Sequence, residues 1–174
     1  MTTRTIAAVI LTLVIAGCSG DDASSATAGS DESTVEQFVG IVDSHEGEWR
    51  ASVAKIHAAC ADSNAVDRCV AVHRTAGEQA TALHRALTAA HDPKCQDDPQ
   101  CSGFLGEVPA AIAELVADTE TAALEYSDAV RAWNATGCIS PLNWHCGADE
   151  QLAMSTALGA LTRQFDAWKE QTDR

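Results

Sequence analysis

Six cysteines arranged as three close couples constrain this chain more than any other feature. They are Cys60 and Cys69, Cys95 and Cys101, and Cys138 and Cys146. Each couple brackets residues that favour turns: Asp62-Ser63-Asn64 in the first, Asp97-Asp98-Pro99 in the second, Ser140-Pro141-Leu142-Asn143 in the third. An even cysteine count in an exported chain points to disulfides, and the N-terminal residues discussed below argue for export. Six cysteines allow many pairings, and the sequence does not choose among them. Sequential pairing, Cys60–Cys69, Cys95–Cys101 and Cys138–Cys146, would staple three turns. In the chain-entropy account each such short loop contributes about 2–3 kcal/mol. The rival use of cysteine is a metal site. No Cys-x-x-Cys occurs anywhere, so a zinc ribbon or a thioredoxin-like motif is absent.

Between these turns lie four stretches with helical periodicity. The first, 34–61, repeats Val35, Val42, Trp49 and Ile56 every seventh residue, with Phe38, Val39, Val53 and Cys60 beside them. Ser33-x-x-Glu36 reads as a capping box at its start. The second, 65–91, carries Val66, Val70, Leu83 and Leu87, with Asn64 as a cap and Asp92-Pro93 as its stop. The third, 108–135, carries Val108, Ile112, Leu115, Val116, Tyr126, Val130 and Trp133. Pro109 suits its first turn and Gly137 the position just past its end. The fourth, 148–172, carries Met154, Leu158, Leu161, Phe165 and Trp168. No stretch alternates with period two. The expected fold is therefore all-α, an up-down-up-down four-helix bundle with a disulfide at each turn. Abundant alanine implies close helix approach and a thin core, which the staples would offset.

The N-terminus supplies an address. One positive charge, Arg4, precedes an apolar run from Ile6 to Ala16 interrupted only by Thr12. The run is shorter than the ~20 apolar residues a bilayer span needs, and it suits a secretory signal. It ends in Ile15-Ala16-Gly17-Cys18, which resembles the lipobox of bacterial lipoproteins. The resemblance covers residues 1–18 and implies an anchor, not an activity. It implies that residues 1–17 are a signal peptide and that Cys18 becomes the lipid-bearing first residue, held at the extracytoplasmic face of the cell membrane. Residues 18–33 contain no large apolar side chain and read as a flexible tether, leaving 34–174 as the folded domain. The whole chain has 11 Lys and Arg against 25 Asp and Glu. Arg4 leaves with the signal, so the mature ratio is 10 to 25 and the net charge −15. Such a charge argues against nucleic acid and against lying flat on anionic lipid.

Catalytic motifs are missing. There is no Gly-x-Ser-x-Gly elbow, no Gly-rich phosphate loop, no His-Glu-x-x-His and no Glu-x-x-His of the di-iron bundles. The histidines are the sharpest lead. If the first hairpin closes midway between Cys60 and Cys69, His45 lies level with His84, and His57 with Val72 and His73. His45 and His84 could hold a transition metal or a haem iron, with Glu46, Glu48 or a group from the third or fourth helix as a third ligand. Tyr126, the single tyrosine, is an axial-ligand candidate but does not fall at that level. The plainer alternative is that these amphipathic rings sit at the edge of a bundle core; a pH response is physically open to them. A second lead is the ring closed by Cys138 and Cys146, which carries Ile139, Leu142 and Trp144. Apolar side chains on a closed loop suit a recognition tip, or they fold back to cap the bundle. The functional expectation is a membrane-anchored, non-enzymatic binding module with an envelope protein as partner and no cofactor. The alternative is a metal- or haem-binding lipoprotein.

Overall fold

The computed structural model describes residues 28–61, 66–91, 108–137 and 147–173. They form four α-helices: α1 Ala28–Cys60, α2 Val66–His91, α3 Ala110–Ala135 and α4 Ala148–Thr172. No strand occurs among the described residues. The all-α expectation holds, and three of the four helix starts fall within two residues of the sequence pattern. The exception is α1, which begins six residues before Thr34. The stripe marks where burial begins, whereas a nucleated helix extends at little cost into residues that need bury nothing. Ser33 is consequently inside the helix and is not its cap.

Helix ends follow local chemistry. The carbonyl of Pro109 accepts the amides of Ile112 and Ala113 at 2.9 and 3.0 Å. Pro109 itself stands just outside α3 as its N-cap, one position earlier than expected. Gly137 takes φ +64°, the left-handed turn that ends α3 and that a side chain would strain. Gly147, at φ +69°, leads into α4 in the same way.

Successive helices pack on one another, and α1 also meets α4. Trp49 of α1 is the centrepiece. It is 2 % exposed, meets Tyr126 of α3 edge-on at 5.3 Å and stacks on Phe165 of α4 at 5.9 Å. Its indole N–H donates to the Thr162 hydroxyl at 3.3 Å. Aromatic contacts of this kind add to an already large apolar burial. On the surface, Arg50 joins Glu46 on its own helix and Asp166 on α4. Between Val70 and Leu83, the buried face of α2 carries His73, Ala76, Gly77 and Ala80 rather than large apolar groups. That gap lets α3 approach. A β-carbon placed on Gly77 would meet Val130 at 3.3 Å.

Cys60 and Cys69 are joined, so the last residue of α1 is tied to the first turn of α2. Cys95, Cys101, Cys138 and Cys146 lie outside the described residues, as do Cys18 and residues 1–27. Among the described residues no helix is long and apolar enough to cross a membrane.

Candidate functional site

The tie between α1 and α2 stands over a cleft of about 450 Å³ bounded by α1, α2 and α4. Its walls are mainly apolar: Val53 and Ile56 from α1, Met154 and Leu158 from α4. The Cys60–Cys69 bridge, His57 and His73 share the lining with Gln151, Ser155 and Thr162 of α4. α2 positions its share by periodicity, because Cys69 and His73 are four residues apart and project from one face. Cys60 and His57, three apart on α1, share a face in the same way.

His73 is 4 % exposed, and its Nδ1 lies 2.8 Å from the Tyr126 hydroxyl of α3. Its ring also meets Trp133 edge-on at 5.8 Å. Tyr126 is wholly buried. Neither group has a charged partner, so loss of water decides both ionisations. Burial pushes the His73 imidazolium down to about 4 and raises the Tyr126 phenol well above its ordinary value. Near neutral pH the pair is an uncharged imidazole bonded to an uncharged phenol. If Nδ1–H donates to the phenol oxygen, Nε2 keeps its lone pair for a ligand; if the phenol donates, Nε2 carries the proton. Either way the pair offers one polar atom beneath apolar walls.

Other surface features are less built. A groove of about 500 Å³ between α3 and α4 is floored by alanines, edged by Glu125 and Asp149, and bordered by Leu152, which is 66 % exposed. A groove between α1 and α2 carries Glu48, Lys55 and Gln79. The buried Oε1 of Gln79 has no hydrogen-bond partner among the described residues.

The hairpin register assumed for α1 and α2 agrees with two observed pairs: the Cys60–Cys69 bond, and Phe38 beside His91 with ring centroids 6.4 Å apart. His45 and His84, level in that register, are both half-buried. Among the described residues, one group of three His, Cys, Asp or Glu side chains is close enough to share an ion. It is Cys60, Cys69 and His73, and neither His45 nor His84 belongs to it. Tyr126 meets a histidine, but the one on the second stripe rather than His45 or His84. Leu142 and Trp144 lie outside the described residues. The His73–Tyr126 pair is the feature that sequence reasoning missed. Both residues were on the buried stripes. Nothing in the sequence set the register of α2 against α3, because their connection is long.

The fold and site together define a class: an all-helical domain of four packed helices, two of them tied by a disulfide, with an uncharged His–Tyr pair beneath one cleft. Comparison with known protein families, with curated proteins and with solved structures found no match.

Proposed function

We propose that this protein is a lipid-anchored, extracytoplasmic binding module without catalytic activity, and that its ligand sits in the cleft beneath Cys60–Cys69. Residues 1–17 direct export, Cys18 carries the lipid, and the residues after it link the anchor to the domain. The helices run up-down-up-down. Three pairings support this direction of travel: Cys60 with Cys69 between α1 and α2, Thr88 with Glu120 between α2 and α3, and Thr119 with Trp168 between α3 and α4. Cys95–Cys101 and Cys138–Cys146 close the two remaining turns, and Leu142 and Trp144 on the last of them offer a contact for an envelope protein.

The observation that carries the binding reading is the cleft itself. Mostly apolar walls with a few convergent polar groups, set between helices of a bundle, are the usual make-up of a small-molecule seat. The cleft volume also falls within the range of such seats, roughly 300–1,000 Å³. Ser155, exposed and on the cleft lining, gives access to a test. Native mass spectrometry of the protein extracted from its own membrane should show a diacylated Cys18 and a bound small molecule that Ser155→Trp displaces. An unmodified Cys18 would remove the anchor from the proposal. A protein equally empty with and without Ser155→Trp would remove the cleft.

A further inference from the structure

The disulfide side of the cleft holds an unusual donor set. Sγ of Cys60, Sγ of Cys69 and a ring nitrogen of His73 all lie within 4.8 Å of one another. His57 lines the same cleft, one turn before Cys60. Two sulfurs and two imidazoles drawn from two helices form the set that a tetrahedral soft cation takes. While the sulfurs are bonded to each other they are poor ligands, because the thiolate is the ligand form of cysteine. We propose that reduction of Cys60–Cys69 converts this tie into a binding site for a zinc-type divalent cation, with Cys60, Cys69, His73 and His57 as ligands.

The geometry asks little of the fold. In a tetrahedral site with bonds of about 2.0 Å to nitrogen and about 2.3 Å to sulfur, neighbouring donors stand roughly 3.5 Å apart. The His73 nitrogen, within 4.8 Å of both sulfurs, has about one ångström to close. The sulfurs, bonded to each other in the oxidised protein, move apart by roughly 1.5 Å once reduced. His57 lies outside that group of three and swings in from the rim. Cys69 and His73 share one face of a rigid helix, so one side of the site is already assembled. With Nδ1 engaged by Tyr126, Nε2 is the nitrogen left for the ion. A ligand histidine held through its other nitrogen by a second group is the common arrangement in metal sites.

The chemistry requires a dithiol as the reductant. Cys60 is exposed and Cys69 is 9 % exposed, so the incoming thiolate attacks Sγ of Cys60. The Sγ–Sγ bond breaks and Cys69 leaves as a thiolate. The second thiol of the reductant then attacks its own sulfur in the mixed disulfide. Cys60 is released, and the reductant departs as a cyclic disulfide. Two electrons and two protons pass to the protein. Binding the cation expels the two thiol protons, so the site loads more tightly as pH rises. The same two residues thus tie α1 to α2 in both redox states, through a covalent bond in one and an ion in the other. This proposal shares the cleft with the binding reading, but it depends neither on the lipid nor on what else occupies the cleft.

The test uses the full lipoprotein in detergent, under anaerobic conditions, with Co(II) as an optical stand-in and Zn(II) as the competitor. After treatment with a dithiol and its removal, one Co(II) per chain should bind. Thiolate-to-cobalt charge transfer and intense tetrahedral d–d bands should appear, and Zn(II) should abolish them. The oxidised protein should bind at least tenfold more weakly and show no charge-transfer band. Cys60→Ser with Cys69→Ser should lose the band while keeping the other cysteines, and His57→Ala at the rim should weaken binding without loss of helix by circular dichroism. His73→Gln should weaken it further. Equal binding by the oxidised protein overturns the proposal, as does an unchanged spectrum in the double cysteine variant. A reduced protein that loses its helices and takes up no ion overturns it as well.

Discussion

Two histidines on α2 stand at opposite ends of the bundle and are treated in opposite ways. His73 and His91 are five helical turns apart and therefore face the same side of the helix. At the disulfide end, His73 meets the phenol of Tyr126 and loses its proton to burial. At the other end, Nε2 of His91 donates to a carboxylate oxygen of Glu120 at 2.9 Å, and the Thr88 hydroxyl donates to the same oxygen at 2.7 Å. The surroundings differ too. The His91 end is filled by Phe38, Leu87 and Val116, all at 0 % exposure, and by Trp168, whose N–H bonds the buried Thr119 hydroxyl at 2.9 Å. The His73 end is held together by a covalent bond and keeps a cleft. One end is densely packed, with Glu120 accepting from both His91 and Thr88, although the buried Nδ1 of His91 has no hydrogen-bond partner among the described residues. The other is left partly unfilled and relies on Cys60–Cys69 where packing stops. A binding site needs unfilled space, and unfilled space forfeits the contacts that stabilise a core.

That contrast can be tested by emptying each end in turn. Trp168→Ala should cost about 3–5 kcal/mol, the usual loss for a buried tryptophan. Met154→Ala, on the cleft wall, should cost close to 2 kcal/mol, because the neighbouring space lets the site relax. Chemical denaturation measures both, and equal losses would erase the difference in packing. Replacing Cys60 and Cys69 together by alanine should lower stability by about 2–3 kcal/mol, acting through the unfolded chain. A negligible loss would mean that the cleft end needs no staple.

Smaller effects sharpen the electrostatic side of the comparison. Tyr126→Phe removes the partner of a buried imidazole and should cost about 1–2 kcal/mol. The titration of His73 followed by NMR should move at the same time. His73 has a folded pKa of about 4, below the 6.5 of an unperturbed imidazole. Between those values the unfolded chain binds the extra proton, so stability contributed by this site is complete above about 6.5 and erodes as pH falls towards 4. Subtracting the pH–stability profile of His73→Leu from that of the parent should isolate this slope. A flat difference would mean that His73 is not held neutral. The least effect belongs to Arg50→Ala. Its ion pairs with Glu46 and Asp166 are solvent-exposed, and the loss should stay under about 1 kcal/mol and shrink with salt.

The sequence by itself determined a good deal. Spacing of apolar residues set four helices, because a buried stripe must recur at the helical period. Three helix starts fell within two residues of the expected positions, two of them marked by Asn64 and Pro109. Close cysteines separated by the turn residues of a short hairpin made Cys60–Cys69 the expected tie without excluding other pairings, and the structure joins them. The same hairpin fixed the α1–α2 register, and His45 and His84 could be set level from it. The extension of α1 to Ala28 was not legible, because helical residues that bury nothing leave no periodic trace. Only the tertiary structure decided which buried side chains meet across helices joined by long connections. It put Tyr126 on His73, Glu120 on His91, and Met154 in the same cleft as the disulfide. Those pairings depend on the azimuth and height of one helix against another, and a stripe that says which face is buried leaves both undetermined.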